Sequence, residues 1–244
     1  MAKIDLGILG GGQLARMLAL EAHPLGLSVS VLTPQSSDPA AQVVGGHRLG
    51  SLSDENDLRK FLGDLECLTF ESEFVDIPKL RRCLPSSVYV FPDLTAIEVI
   101  QDRLSQKQLL DRFGIPTSPW MPVDTKAGLD QAIKQFPDGF VLKQRRFGYD
   151  GYGTFVVKDG RHDPMVLQKT KHGFIAEQFV QFKRELAASF VRGRAGEFLQ
   201  LPLVESVQVD SRCFSVAGPV SHRGLKKLAA QVKTMMEATG YVGI

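Results

Sequence analysis

A largely apolar run, broken by Asp5, spans positions 4–9 and stops abruptly at three consecutive glycines, Gly10, Gly11 and Gly12. Residues 14–22 then repeat apolar side chains at helical spacing, and a β-branched run follows at 28–32. Strand, glycine turn, helix and strand in that order open a doubly wound α/β domain. The run at 65–70 reads as a later strand of the same sheet. Residues 77–83 predict a helix led in by Asp76 and Pro78. An aspartate accepts bonds from the unpaired first amides of a helix, and proline fits its first turn. A short strand at 88–91 closes at Pro92, and a polar helix is predicted over 96–113, stopped by Gly114 with Pro116 beyond it.

Pro116, Pro119 and Pro122 mark a boundary. After it, residues 139–143, 154–158 and 173–179 predict strands of a small second domain, with a glycine-rich connection between the first two. Residues 184–192 and 197–204 alternate as a hairpin turned at 193–196. A helix is predicted over 221–239 with Ser221 as N-cap and Gly240 as stop, and residues 241–244 read as the first half of a strand.

Composition narrows the function classes. The 244 residues suffice for two compact domains. A net charge of +2 is too slight to argue for nucleic acid or a membrane surface, so any basic site must be local. The cysteines, Cys67, Cys83 and Cys213, are odd in number and lack metal-type spacing, as expected of reduced thiols in a cytoplasmic protein. The histidines are scattered, so no zinc site is expected. Lys3 and Asp5 run directly into glycines, unlike a secretory leader, and no apolar run approaches membrane-spanning length.

The candidate chemistry lies in two glycine-rich loops. Gly10-x-Gly12-x-x-Ala15 fits the dinucleotide fingerprint, but that reading needs an acidic residue at the end of the second strand. Between Glu21 and Asp38 there is no Asp, Glu or Arg, which argues against a nicotinamide cofactor. Two alternatives stay open: an anion site at the helix N-terminus, with Arg16 one turn in, or a tight turn that binds nothing. The second loop runs from Arg145 to Thr154, directly after a strand ending in Lys143. Backbone amides freed of Cβ atoms and a strand-borne ammonium together suit a triphosphate. The sequence has no Walker GK[ST] and no kinase HRD or DFG. Glu177 and Glu185 bracket the next strand pair, as ribose or hydrogen-bond ligands would.

With GGGQLARM at 10–17, DRLSQKQLLDRFGIPTSPW at 102–120, VLKQRRFGYDGYGT at 141–154, EQFVQFKREL at 177–186 and GYVGI at 240–244, the chain resembles the ATP-grasp ligases along its length. Within them it resembles the branch that carboxylates aminoimidazole ribonucleotide in purine synthesis. The resemblance implies an α/β fold of three parts: a doubly wound pre-ATP-grasp domain at 1–98, a connecting helix and lid at 99–182, and an incomplete C-terminal subdomain at 183–244. It implies that ATP phosphorylates bicarbonate to carboxyphosphate, whose carboxyl group the substrate amine captures. Arg103 and Lys143 then contact ATP phosphates, and Gly148, Tyr149, Asp150, Gly151, Tyr152, Gly153 and Thr154 fold over them. Glu177, Gln178, Phe179 and Val180 hold the adenine edge, and Glu185 takes the ribose hydroxyls. Gly12, Gln13 and Leu14 line the substrate nucleotide pocket, with Glu71 or Glu73 as a further substrate ligand, and Tyr149 and Asp150 face bicarbonate and amine as the catalytic pair. A homodimer in the cytoplasm is implied as well.

Two positions depart from the family pattern: Tyr152 replaces a basic residue, and Gln208 stands near the usual place of a histidine. The family's later acidic strands, which hold magnesium on ATP, do not occur by Ile244, so no metal ligand is assigned and the chain alone is expected to be a weak or inactive ligase. A nucleotide-binding remnant without catalysis, or one half of a split ligase, are the alternative readings.

Overall fold

The computed structural model describes residues 3–71, 74–148, 151–163, 165–209 and 212–244. It divides into two compact units, one holding the residues up to Glu98 and the other running from Val99 to Val242.

In the first unit, β1 (Ile4–Leu9), β2 (Val29–Thr33), β3 (Gly46–Leu49), β4 (Leu65–Phe70) and β5 (Tyr89–Val90) form a parallel sheet in the order β3-β2-β1-β4-β5. The connecting helices are α1 (Gln13–Ala22), α2 (Glu55–Leu62), α3 (Ile77–Cys83) and α4 (Leu94–Ile100), the last crossing into the second unit. Gly7, Ile8 and Leu9 of central β1 are buried on both faces because helices cover a parallel sheet from both sides. α1 turns its small residues inward: Ala15, Ala19 and Ala22 pack with Ile8, Val29 and Val31, while Leu14, Met17 and Leu18 face outward. β1, β4 and α3 fall on the expected ranges, and Asp76 caps α3 by accepting from the Lys79 amide at 2.9 Å.

Two elements of this unit go beyond the sequence reading. β3 has an alternating half-exposed pattern with no apolar run, and α2 is led in by Asp54, which accepts from the Asn56 and Asp57 amides. The single helix expected over 96–113 is corrected to two, α4 and α5 (Arg103–Arg112). Asp102 breaks it, being extended at φ −121°, ψ 115° and accepting from the Leu104 amide as N-cap.

The second unit begins with a four-stranded antiparallel sheet. It is built from β6 (Trp120–Val123), β7 (Phe140–Gln144), β8 (Thr154–Val157) and β9 (Phe174–Gln178), ordered β6-β9-β7-β8. β6 had been hidden by its prolines; Pro122 is tolerated because β6 is an edge strand. One face of the sheet, with Phe140, Leu142, Phe174 and Ala176, is buried with Leu129 and Ala132 of α6 (Lys126–Gln135), a helix capped by Thr125.

Beyond lie β10 (Glu185–Ala187), β11 (Phe190–Arg192), β12 (Phe198–Gln200), β13 (Val204–Val209), β14 (Arg212–Ala217) and α7 (Leu225–Ala238). The hairpin turned at 193–196 exists as β11 and β12. The expected strand over 184–192 is split, however, because β10 pairs with β13 in a second sheet, β10-β13-β14. β14 reads Arg-Cys-Phe-Ser-Val-Ala, apolar in pairs and without a two-residue alternation, and all six of its residues are exposed. α7 starts after Gly224 with no side-chain cap, not at Ser221, and Gly240 at φ +65° ends it as expected. Residues 241–244 form no strand.

Candidate functional site

The second glycine loop is the turn of the β7–β8 hairpin, whose register sets Lys143 opposite Thr154. In the β7–β9 pair, Val141 lies opposite Glu177. Lys143, two residues beyond Val141, therefore shares a face with Glu177 as its diagonal neighbour. That face is the one turned away from the buried core of the sheet.

The geometry there is close. The Lys143 and Lys107 ammonium groups each stand 3.3 Å from Glu177 Oε2. Ser118 Oγ donates to the same oxygen at 3.0 Å, and Lys107 Nζ donates to Thr117 Oγ1 at 2.7 Å. Burial pushes the Glu177 carboxyl up, but Lys143, Lys107 and Ser118 outweigh it and hold its pKa below the ordinary value. Lys107 and Ser118 were not singled out from sequence. The available signal was spacing: Lys107 lies one turn after Arg103 on α5.

Arg103 clasps the loop from below. Its amide donates to the Arg145 carbonyl at 2.9 Å, and its guanidinium donates to the carbonyls of Gln144 at 3.1 Å and Gly148 at 2.9 Å. The neighbouring Asp102 takes Arg145 in a two-pronged pair at 3.0 and 2.6 Å, with Arg146 at 3.7 Å. Gly151 and Gly153 have φ of +82° and +72°, a region glycine enters at no steric cost. Tyr152 is exposed. Tyr149 and Asp150, the expected catalytic pair, lie outside the described residues, as does Glu73.

At the end of β9, Gln178 is half-buried while Phe179 and Val180 are exposed. Glu185 opens β10 opposite Ser206, and its Oε1 accepts from Ser206 Oγ at 2.7 Å and Gln208 Nε2 at 2.9 Å. Gln208 thus touches the residue expected to hold the ribose.

The first loop lies wholly in the other unit. Gly10 has φ +110°, and Gly12 is the N-cap of α1 without a side-chain cap bond. The Glu71 carboxylate fills the space that a Cβ at Gly10 or Gly12 would need. Gln13 and Leu14 are exposed at the start of α1. Among the described residues, no group of three or more His, Cys, Asp or Glu side chains is placed to hold a metal ion.

A doubly wound unit followed by an antiparallel sheet with a lysine beside a glycine hairpin defines the ATP-grasp class. The ATP-grasp domain model matches residues 108–244, and a ribonucleotide synthetase preATP-grasp domain model matches residues 1–101. The chain is 35% identical over 242 residues to N5-carboxyaminoimidazole ribonucleotide synthase of Synechococcus elongatus, covering 98% of this chain and 61% of that protein. It is 32% identical over 244 residues to the synthase of Brucella melitensis, covering 98% and 67%. A solved structure of N5-carboxyaminoimidazole synthase from Aspergillus clavatus, in complex with ADP and 5-aminoimidazole ribonucleotide, superposes with a TM-score of 0.83 at 31% identity. That match covers 99% of this chain and 64% of the other. The chain belongs to the N5-carboxyaminoimidazole ribonucleotide synthase family of ATP-grasp proteins, and spans roughly three fifths to two thirds of the length of these relatives.

Proposed function

We propose that this chain acts in ATP-dependent carboxylation of 5-aminoimidazole ribonucleotide with bicarbonate, in purine biosynthesis. ATP transfers its terminal phosphoryl group to a bicarbonate oxygen, giving ADP and carboxyphosphate. The exocyclic amine attacks the carboxyl carbon, phosphate leaves, and the nitrogen gives up a proton. Such chemistry rests on positioning and charge stabilisation.

The observation that carries the reading is the convergence of Lys143, Lys107 and Glu177 on the face beside the glycine hairpin, with Arg103 bonded to the carbonyls of Gln144 and Gly148 on the leading side of the loop. These residues fit a triphosphate, because cationic donors are concentrated beside the hairpin. Lys143 and Arg103 meet the phosphates, and residues 148–154 cover them. Residues 177–180 hold the adenine edge, and Glu185, set by Ser206 and Gln208, takes the ribose. Gly12, Gln13, Leu14 and Glu73 take the substrate nucleotide, and Tyr149 and Asp150 face the reacting groups. Within the second unit, residues 99–182 act as connector and lid and residues 183–244 as the start of the other ATP-grasp subdomain. Magnesium supplies charge neutralisation on ATP throughout this class of chemistry. The described residues offer no ligand group that fits it, and no step is assigned to it.

Cytoplasmic location and a homodimer belong to the same proposal. No helix among the described residues is long and apolar enough to cross a membrane. The outward Leu14, Met17 and Leu18 of α1, with Leu25 beyond, form an apolar row suited to a second copy. Sedimentation of a monomer at micromolar concentration would refute the dimer. The main test is calorimetric titration with ATP and GTP, followed by phosphate release. Saturable ATP binding that GTP does not reproduce is expected, with phosphate release by this chain alone weak or absent. No ATP binding overturns the proposal, and robust release dependent on bicarbonate and aminoimidazole ribonucleotide overturns the expectation of weak activity.

A further inference from the structure

Glu177 offers one carboxylate oxygen to two ammonium groups, and the two lysines are not equivalent. Lys107 is nearly buried, with 12% of its side chain exposed, and is tied to Thr117 and Ser118 by hydrogen bonds at 2.7 and 3.3 Å. Lys143 is 32% exposed and ends the strand that runs into the glycine loop. Two positive groups against one negative group leave one unit of positive charge over. The fixed geometry of Lys107 assigns that surplus to Lys143, the lysine that faces solvent. If Lys107 were neutral, Glu177 would be compensated by Lys143 alone. The pair would carry no net charge, and an incoming anion would have to compete with a carboxylate at 3.3 Å.

We propose that Lys107 is a positioning residue for the nucleotide site: by neutralising Glu177 it leaves Lys143 available to an anionic polyphosphate. The inference rests on the reading of this site as the ATP site. The effect of Lys107 passes through Glu177 and not through the stability of α5.

The test is a double-mutant cycle of Lys107→Met and Glu177→Gln, with Lys107→Arg as the charge-conserving control. ATP affinity is measured by titration. Independently of ATP, the rate at which Lys143 is acylated by acetic anhydride is followed by peptide mass spectrometry. Lys107→Met is expected to weaken ATP binding about tenfold and to slow Lys143 acylation, because the ammonium becomes locked to Glu177. In the Glu177→Gln background the same substitution is expected to cost clearly less and to leave acylation unchanged. Lys107→Arg should behave as the wild type. Equal losses in both backgrounds, or unaltered Lys143 acylation in Lys107→Met, would overturn the inference. If the wild type binds no ATP, the functional proposal falls, while the acylation comparison still decides what Lys107 does.

Discussion

Asp102 shows how much one side chain can organise. Its carboxylate caps α5 through the Leu104 amide at 2.9 Å, takes Arg145 with both oxygens, and lies 3.7 Å from Arg146. Only 7% of the side chain is exposed. Burial pushes its pKa up, but the Arg145 guanidinium, the Leu104 amide and Arg146 outweigh that and hold it below the ordinary carboxylate value. A lowered folded pKa means the stabilisation is fully present above about pH 4 and is lost as pH falls through the folded value. Asp102→Ala removes a cap and leaves Arg145 without its main partner. The expected cost is about 2–3 kcal/mol, below the range for fully buried pairs because Arg145 reaches solvent. Urea unfolding followed by Trp120, the chain's single tryptophan and part of β6 in the same unit, measures it. Asp102→Asn keeps an oxygen for the cap and is expected to lose less. An Asp102→Ala midpoint equal to the wild type at neutral pH would refute the account, and the difference should shrink in acid.

At the scale of elements, the glycine hairpin depends on backbone conformations that side chains resist. Gly153 has φ +72°, and a Cβ there would stand 2.7 Å from Gln144 Oε1. Gln144 can swing away, but a side chain disfavours the positive φ by about 1 kcal/mol, so in Gly153→Ala the free loop leaves this conformation and must regain it to hold ATP. ATP affinity is expected to fall about fivefold while the urea midpoint read by Trp120 barely moves; unchanged affinity would count against the loop's role. This element was legible in sequence because its signal is local: glycines directly after a strand ending in lysine. β1, β4 and α3 were legible for the same reason, an apolar run or a capped turn complete within a few residues. α2 carried such a signal too, in Asp54 followed by Leu58, Phe61 and Leu62. β3 did not, since its Gly-His-Arg-Leu pattern is held by register with β2. The lysine–glutamate cluster was only half legible. Lys143 and Glu177 could be chosen singly, but their shared face follows from the β7–β9 register. Lys107 joins them only because Asp102 restarts the helix at Arg103.

At the scale of the whole molecule, the two glycine loops belong to different compact units. Gly12, Gln13 and Leu14 lie before Glu98, whereas Arg103, Lys143, Glu177 and Glu185 all follow Val99. If each loop serves the ligand proposed for it, ligands should protect the units selectively. ATP at about a hundred times its dissociation constant should stabilise the folded state of its unit by about 2.7 kcal/mol. Hydrogen exchange read by mass spectrometry should then slow in β7, β8 and β9 and stay unchanged in β1 and α1. Aminoimidazole ribonucleotide should give the opposite pattern. The Glu71 carboxylate beside Gly10 and Gly12 makes this a demanding test, because an anion arriving at α1 must displace or tolerate it. Protection of α1 by ATP alone, equal to that of β7, would assign the first loop to ATP and remove the substrate role given to Gln13 and Leu14.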